Sequence, residues 1–208
     1  MQKYVLVDDT HTILWGPDYP DSLLFVNGNP IVPPLYDSNV KWYTWTDIPS
    51  EYDTMTQQES LPQLSFNDND FSVIANYEVI DLDINIAISN RCNHVNNMRD
   101  EYLSSGFTWN GNTYDSDVNG RANLSGAIIG VLVSGAIQSP NTFITWRTKN
   151  NINISLTAMQ LVTLGLSMLQ WYSSVIIFAS TLKDSITALT NVQDVRDKNI
   201  ADGWPTHN

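Results

Sequence analysis

Apolar and polar residues alternate differently in the two parts of the chain. Before about residue 78 the apolar runs are short and broken by turn residues. "KYVLV" and "SLLFV" read as strands, and "NGNPIVPPLYD" reads as turn and extended chain. "VKWYTWTDIP" sets Val40, Trp42 and Thr44 against Lys41, Tyr43 and Trp45, so both faces of that strand carry aromatic rings. Such a strand suits either the core of a small β-domain or a sheet covered on its second face by a partner. After about residue 80 the period becomes helical. Ile84, Ile88, Val95, Met98 and Tyr102 fall near one face of a helix that Gly106 ends.

"GFTWNGNTYDSDVNGRANLSGAI" follows, with "FTW" and "NTY" flanking Asn110-Gly111, the pair suited to a type I′ hairpin turn. A second helix starts after "DSD". Its Gly126, Gly130 and Ser134 recur every four residues, which lets another helix approach closely. Pro140 ends this segment, and "TFITWRT" and "NINISL" form a second hairpin around "KNN". Thr157 opens a long helix reaching about Leu189. Its Leu161, Leu164, Met168, Trp171, Val175, Phe178 and Leu182 alternate spacings of three and four, the seam of a coiled coil or antiparallel hairpin. That seam packs either on the two preceding helices or on another copy of the chain. The expected fold class is α+β: an acidic, proline-rich β/extended module over residues 1–78, then a three-helix domain over 79–208 with two β-hairpins. Trp109 and Trp146 should pack the hairpins against the helices.

Charge sharpens this division. The net charge is −12, with charged residues only 15% of the chain and apolar ones 42%. Residues 1–80 hold twelve acidic and two basic side chains, and the remainder ten acidic and eight basic. An acidic first part repels phosphate, so nucleic acid is not an expected partner. Cys92 is the one cysteine, so neither an internal disulfide nor a CxxC zinc pair can form. No secretory signal is read in "MQKYVLVDDTHTILWG". Between Lys149 and Lys183 lie 33 residues without a formal charge, enough to span a bilayer. The polar stripe of Thr163, Ser167, Gln170 and Ser174 favours a buried or oligomeric helix over a membrane span.

Candidate chemistry centres on "DSDVNG", which matches the first six positions of a calcium loop through Asp115, Asp117, Asn119 and Gly120. The twelfth position, which needs a bidentate acid, is Gly126, and no Asp or Glu occurs between Arg121 and Arg147. Ser116 or Asp117 as a helix cap requires less, and both acids suit the positive end of a helix. His11, His94 and His207 show no ligand spacing, and Cys92 and His94 point to different helix faces. "NDND" at 67–70 reads as a solvated turn. The Asn-x-Ser triplets at Asn123 and Asn153 are expected by chance in so Asn-rich a chain. No lipase-type serine motif, Walker loop or dinucleotide fingerprint occurs, and no carboxylate pair stands out for glycoside hydrolysis. The expected catalytic, metal and cofactor residues are therefore none.

The stretches "GFTWNGNTYDSDVNGRANLSGAI", "FITWRTKNNINISLTAMQLVTLGLSMLQW" and "ASTLKDSI" together resemble a domain of unknown function. That domain lies near the C-terminal end of tail fibre, baseplate and tail fibre assembly proteins of tailed bacteriophages. The shared features are an aromatic hairpin closed by Asn-Gly, and an acid before an Arg-x-Asn helix (Arg121, Asn123). A Trp-containing hairpin, the helix start Leu156–Ala158 and the pair Leu182, Lys183 complete the set. This covers about residues 81–205. At the second hairpin's turn, where that family often has an acid, this chain has Asn150 and Asn151. The resemblance implies a virion structural protein of the tail, not an enzyme, with other tail and fibre proteins as partners and a role in host attachment. A fibre-assembly chaperone is the alternative it implies. It also favours a trimer among the possible self-associated states, and makes "ILWGPDYP" an extended docking strand by analogy with other tail proteins.

Overall fold

The computed structural model describes residues 3–18, 24–26, 29–31, 40–139 and 143–206, with the side chains of residue 18 and of 24–31 left aside. The readings of Pro140 and His207, and most of "NGNPIVPPLYD", lie outside these residues. The chain divides into two compact units, Met1–Leu82 and Asp83–Asn208.

The first unit is built on a five-stranded sheet. Its strands are β1 (Lys3–Asp8), β2 (Ile13–Asp18), β5 (Val40–Ile48), β7 (Gln63–Asn67) and β8 (Ser72–Asn76), in the order β2-β1-β5-β8-β7. β5 and β8 run parallel, and the other neighbours are antiparallel. Two small ribbons accompany the sheet: β3 (Leu24–Val26) with β4 (Asn29–Ile31), and β6 (Gln57–Glu59) with β9 (Val79–Asp81). The strand-face alternation read from "VKWYTW" holds. Tyr43 and Trp45 pack with Val5, Val7, Val73 and Ala75 on one face. On the other, Leu6 pairs across from Trp42, and Trp15 meets Trp42 edge-on with ring centroids 5.4 Å apart. Trp42 and Trp45 are both buried by the chain itself, so neither aromatic face needs a partner to cover it. Of "ILWGPDYP", the span expected to dock, Ile13–Asp18 is an edge strand paired to β1, and its last two residues lie outside the described ones.

The second unit carries four helices and two hairpins: α1 (Ile84–Ser104), β10 (Phe107–Trp109), β11 (Asn112–Tyr114), α2 (Val118–Val133), β12 (Phe143–Arg147), β13 (Asn153–Thr157), α3 (Ala158–Thr187) and α4 (Val192–Asp197). Asn110 and Gly111 both have positive φ, as the Asn-Gly hairpin requires. The second hairpin closes through Thr148 N donating to Ile152 O, with Asn151 in the left-handed region. α3 begins with a reciprocal cap: Gln160 N donates to Thr157 Oγ1 at 3.1 Å, and Thr157 N to Gln160 Oε1 at 2.8 Å. Sequence periodicity anticipates three of these helices. The fourth, α4, is six residues long, too short to show a helical period of its own.

The seam of α3 is spent inside the chain. Leu161, Leu164, Met168, Trp171 and Val175 are buried with Leu103, Phe107, Tyr114, Leu124 and Val131. Leu182 packs nearer the helix end, against a second cluster formed by Ala87, Val95, Ala179, Ile186, Val195 and Ile200. The seam therefore gives no support to self-association, which would need another surface. α1 and α3 run antiparallel, since Tyr102 meets Trp171 near the end of α1 while Ala87, near its start, packs in the cluster of Ile186. The C-terminal segment closes the bundle. Tyr102 Oη and Trp171 Nε1 both donate to Pro205 O, and Trp204 lies against Tyr102 and Phe178.

Candidate functional site

The residues singled out by motif converge where the two hairpins meet the ends of α1 and α2. Asp117 is the cap of α2, its carboxylate accepting from Gly120 N at 2.7 Å. Ser116 does something else. It is wholly buried, and its hydroxyl donates to Leu103 O at 2.7 Å while accepting from Gly106 N at 3.1 Å. It thus satisfies two backbone groups at the end of α1 that the helix itself leaves open. Gly120 is required by proximity: a Cβ there would lie 2.4 Å from Asp115 O. The glycine that resembles the sixth position of a calcium loop is explained by this close approach of the backbone. Among the described residues no group of three or more His, Cys, Asp or Glu side chains gathers as a metal cluster.

Arg121 and Lys149 tie the elements together. The Arg121 guanidinium donates to Ser116 O and lies over the Tyr172 ring, 4.4 Å from its centroid. Lys149 Nζ donates to Ser104 O and Ser105 O at 2.9 and 2.5 Å, placing a cation on the negative end of α1. Lys149 N also donates to Thr113 O, joining the second hairpin to the first. Arg147 reaches Asn151 Oδ1 and Asn153 Oδ1 across its own turn. Asp115, Asn123, Trp146, Arg147, Lys149 and Asn151 share the lining of a polar recess of about 310 Å³. Farther along, Lys183 Nζ donates to Asn96 Oδ1 at 3.0 Å, linking α3 to α1. In this constellation the cations are engaged with backbone carbonyls and amides, so its chemistry is that of a joint.

A second constellation, in the first unit, has no signature in sequence. Asp68, in the "NDND" turn between β7 and β8, accepts from Tyr43 Oη, and His11 Nε2 lies 3.0 Å from the same oxygen. His11 stacks on Phe66 with centroids 4.6 Å apart. Burial, with the Asp68 hydrogen bond next, pushes the Tyr43 phenol up to about 12. The hydrogen bond from His11, followed by that from Tyr43, holds the Asp68 carboxyl below the usual range. The pairing spans 57 residues between His11 and Asp68, so no local motif could reveal it. It joins two turns of the sheet. Cys92 and His94 remain apart from any such grouping, Cys92 packing against the cluster of Ala87 and Val95.

No curated protein matches the chain, and no solved structure does. Residues 87–201 match the family described as a domain of unknown function, DUF4376. That span takes in both hairpins, the Ser116 clasp and the Asp117 cap, the cationic joints and all of α2 and α3, and since it exceeds half of the chain, the protein belongs to this family.

Proposed function

We propose that this protein is a structural component of a bacteriophage tail, a fibre- or baseplate-associated adaptor carried in the virion. Other tail and fibre proteins would be its partners, and its contribution to host attachment mechanical. The observation that carries this reading is the use to which the motif side chains are put. Asp117 caps α2, Arg121 bridges α2 to Ser116 and Tyr172, Lys149 caps α1, and Lys183 ties α3 to α1. The acid before the helix, Arg121 and Lys183 are among the positions on which the resemblance to tail proteins rests; here Asp117 starts a helix, and Arg121, Lys149 and Lys183 each hold one element to another. A pattern that specifies joints specifies a shape, which is what an adaptor supplies. The acidic first part, with its excess of carboxylates over cations, suits contacts with protein and disfavours contact with the packaged nucleic acid.

Mass spectrometry of purified particles from the phage encoding this chain tests the proposal. The expected result is the protein in intact particles, at a copy number matching the symmetry of the tail. Recovery only from infected-cell lysate, bound to a fibre protein, would replace the proposal with an assembly chaperone.

A further inference from the structure

We propose that the groove between α2 and α3 is a binding site for a single-chain alkyl carboxylate, a fatty acid of medium length. The two helices run antiparallel along it. Arg121 lies over Tyr172 at one end; seven residues further along α2, Ile128 meets Gly165, seven residues back along α3. The helices touch there, since a Cβ at Gly165 would sit 2.3 Å from Ile128 Cδ1. The walls are otherwise mostly aliphatic. Met159, Leu166 and Leu169 form a row of α3 turned away from the core, each more than half exposed, and the last two line the groove with the equally exposed Ile129.

The dimensions choose an extended chain. The lining runs from Arg121 to Ile129 on α2 and from Val162 to Tyr172 on α3, about 12–15 Å at 1.5 Å per residue. The groove holds about 490 Å³, so its cross-section is roughly 30–40 Å², about half that of a bare helix some 10 Å across. A docked helix would therefore stand largely outside it. An extended peptide would bring backbone N–H and C=O groups against aliphatic walls that cannot pair them. A hydrocarbon chain meets neither obstacle. At about 1.25 Å per carbon along an extended chain, the groove takes roughly 10–12 carbons.

Charge selects the head group and its end. Arg121 is the one charged residue on the lining. It donates through Nη1 to Ser116 O, which leaves Nε and Nη2 without a hydrogen-bond partner among the described residues. Those two nitrogens form an edge that can take a carboxylate in two parallel bonds. The Tyr172 hydroxyl, at the same end, has no hydrogen-bond partner among the described residues either. Asp117, the nearest acid along the chain, gives its carboxylate to Gly120 N at the cap of α2. No formal charge lies between Arg121 and Arg147, or between Lys149 and Lys183, so nothing along the tail competes for the head group. An apolar body with one anionic end is the ligand that matches, its burial supplying affinity and Arg121 its direction. This inference is independent of the tail proposal: decanoate binding reports on the groove alone, and presence in purified particles on the tail alone.

Isothermal titration of the full chain with sodium decanoate, below the concentration at which it forms micelles, is the test. One decanoate per chain is expected, bound at least about tenfold tighter than hexanoate, which leaves much of the groove unfilled. Decyltrimethylammonium, equal in length and opposite in charge, is expected to bind at least about tenfold more weakly than decanoate. Arg121→Gln should abolish that preference for the anion, a change that losing the hold on Ser116 would not by itself produce. Leu166→Glu, at an exposed position, should weaken decanoate binding at least about tenfold with unchanged circular dichroism, and it decides the matter if the Arg121 variant fails to fold. No decanoate binding at millimolar concentration, equal binding of the two head groups, or indifference to Leu166→Glu overturns the proposal. Flotation of the chain with phosphatidylcholine vesicles, lost in Leu166→Glu, also overturns it by assigning the face to a membrane surface; α3 is long and apolar enough for that.

Discussion

Replacing Ser116 with alanine removes one oxygen and breaks two hydrogen bonds. Leu103 O loses its donor at 2.7 Å and Gly106 N its acceptor at 3.1 Å. Both residues are buried, and Ser116 is fully so, which leaves no route for bulk water to replace the hydroxyl. An unpaired backbone group in such a place costs about 1–3 kcal/mol. Two of them, with some relaxation of the α1 end, give an expected loss of about 2–4 kcal/mol. For a unit of this size that lowers the melting temperature by roughly 6–12 °C. Urea unfolding of the full chain, followed by helical circular dichroism, measures it, with the denaturant slope unchanged. Asp117→Ala is the comparison. It removes only the exposed cap hydrogen bond to Gly120 and should cost about 1 kcal/mol. A loss below about 0.5 kcal/mol for Ser116→Ala would mean that the two backbone groups find other partners, refuting the account of this residue as the clasp between α1 and the first hairpin.

Four further outcomes are expected. Tyr114 Oη is buried without a hydrogen-bond partner, so Tyr114→Phe should be neutral or stabilise by about 1 kcal/mol in the same assay, and a clear loss would reveal a hidden bond. Phe107 is buried while Trp109 is half-buried, so Phe107→Ala should cost about 3–5 kcal/mol and Trp109→Ala about 2; the reverse order would contradict the packing. The Tyr43 phenol holds its proton more tightly when folded, so its contribution is complete below its ordinary value of 10 and is lost as pH rises toward about 12. Tyr43→Phe should flatten stability over that window, and identical alkaline profiles would contradict it. Because Asp117 acts as a cap and Gly120 answers a close backbone approach, chelator should leave the melting temperature within about 1 °C of its value in added calcium; a drop of several degrees would restore the loop as a calcium site.

The residues of the first and second hairpins, the start of α3 and its inward seam were legible in sequence, because each is fixed within a few residues along the chain. Asn110-Gly111 demands positive φ wherever it occurs, and Thr157 with Gln160 closes a cap within one turn. The seam follows from helical period alone. What that period left open was which surface the seam meets, and only packing answered: α1, α2 and the first hairpin consume it, leaving the opposite row exposed. The cap illustrates the same limit. Sequence offered Ser116 and Asp117 as equals, and the close return of α1's end gave Asp117 the helix and buried Ser116 against Leu103 and Gly106. The parallel pairing of β5 with β8, and the meeting of His11 and Tyr43 at Asp68, join segments tens of residues apart. Local propensity and hydrophobic period carry no information about such pairings, because the free energy that selects them comes from burying whole faces together once the chain has closed its loops.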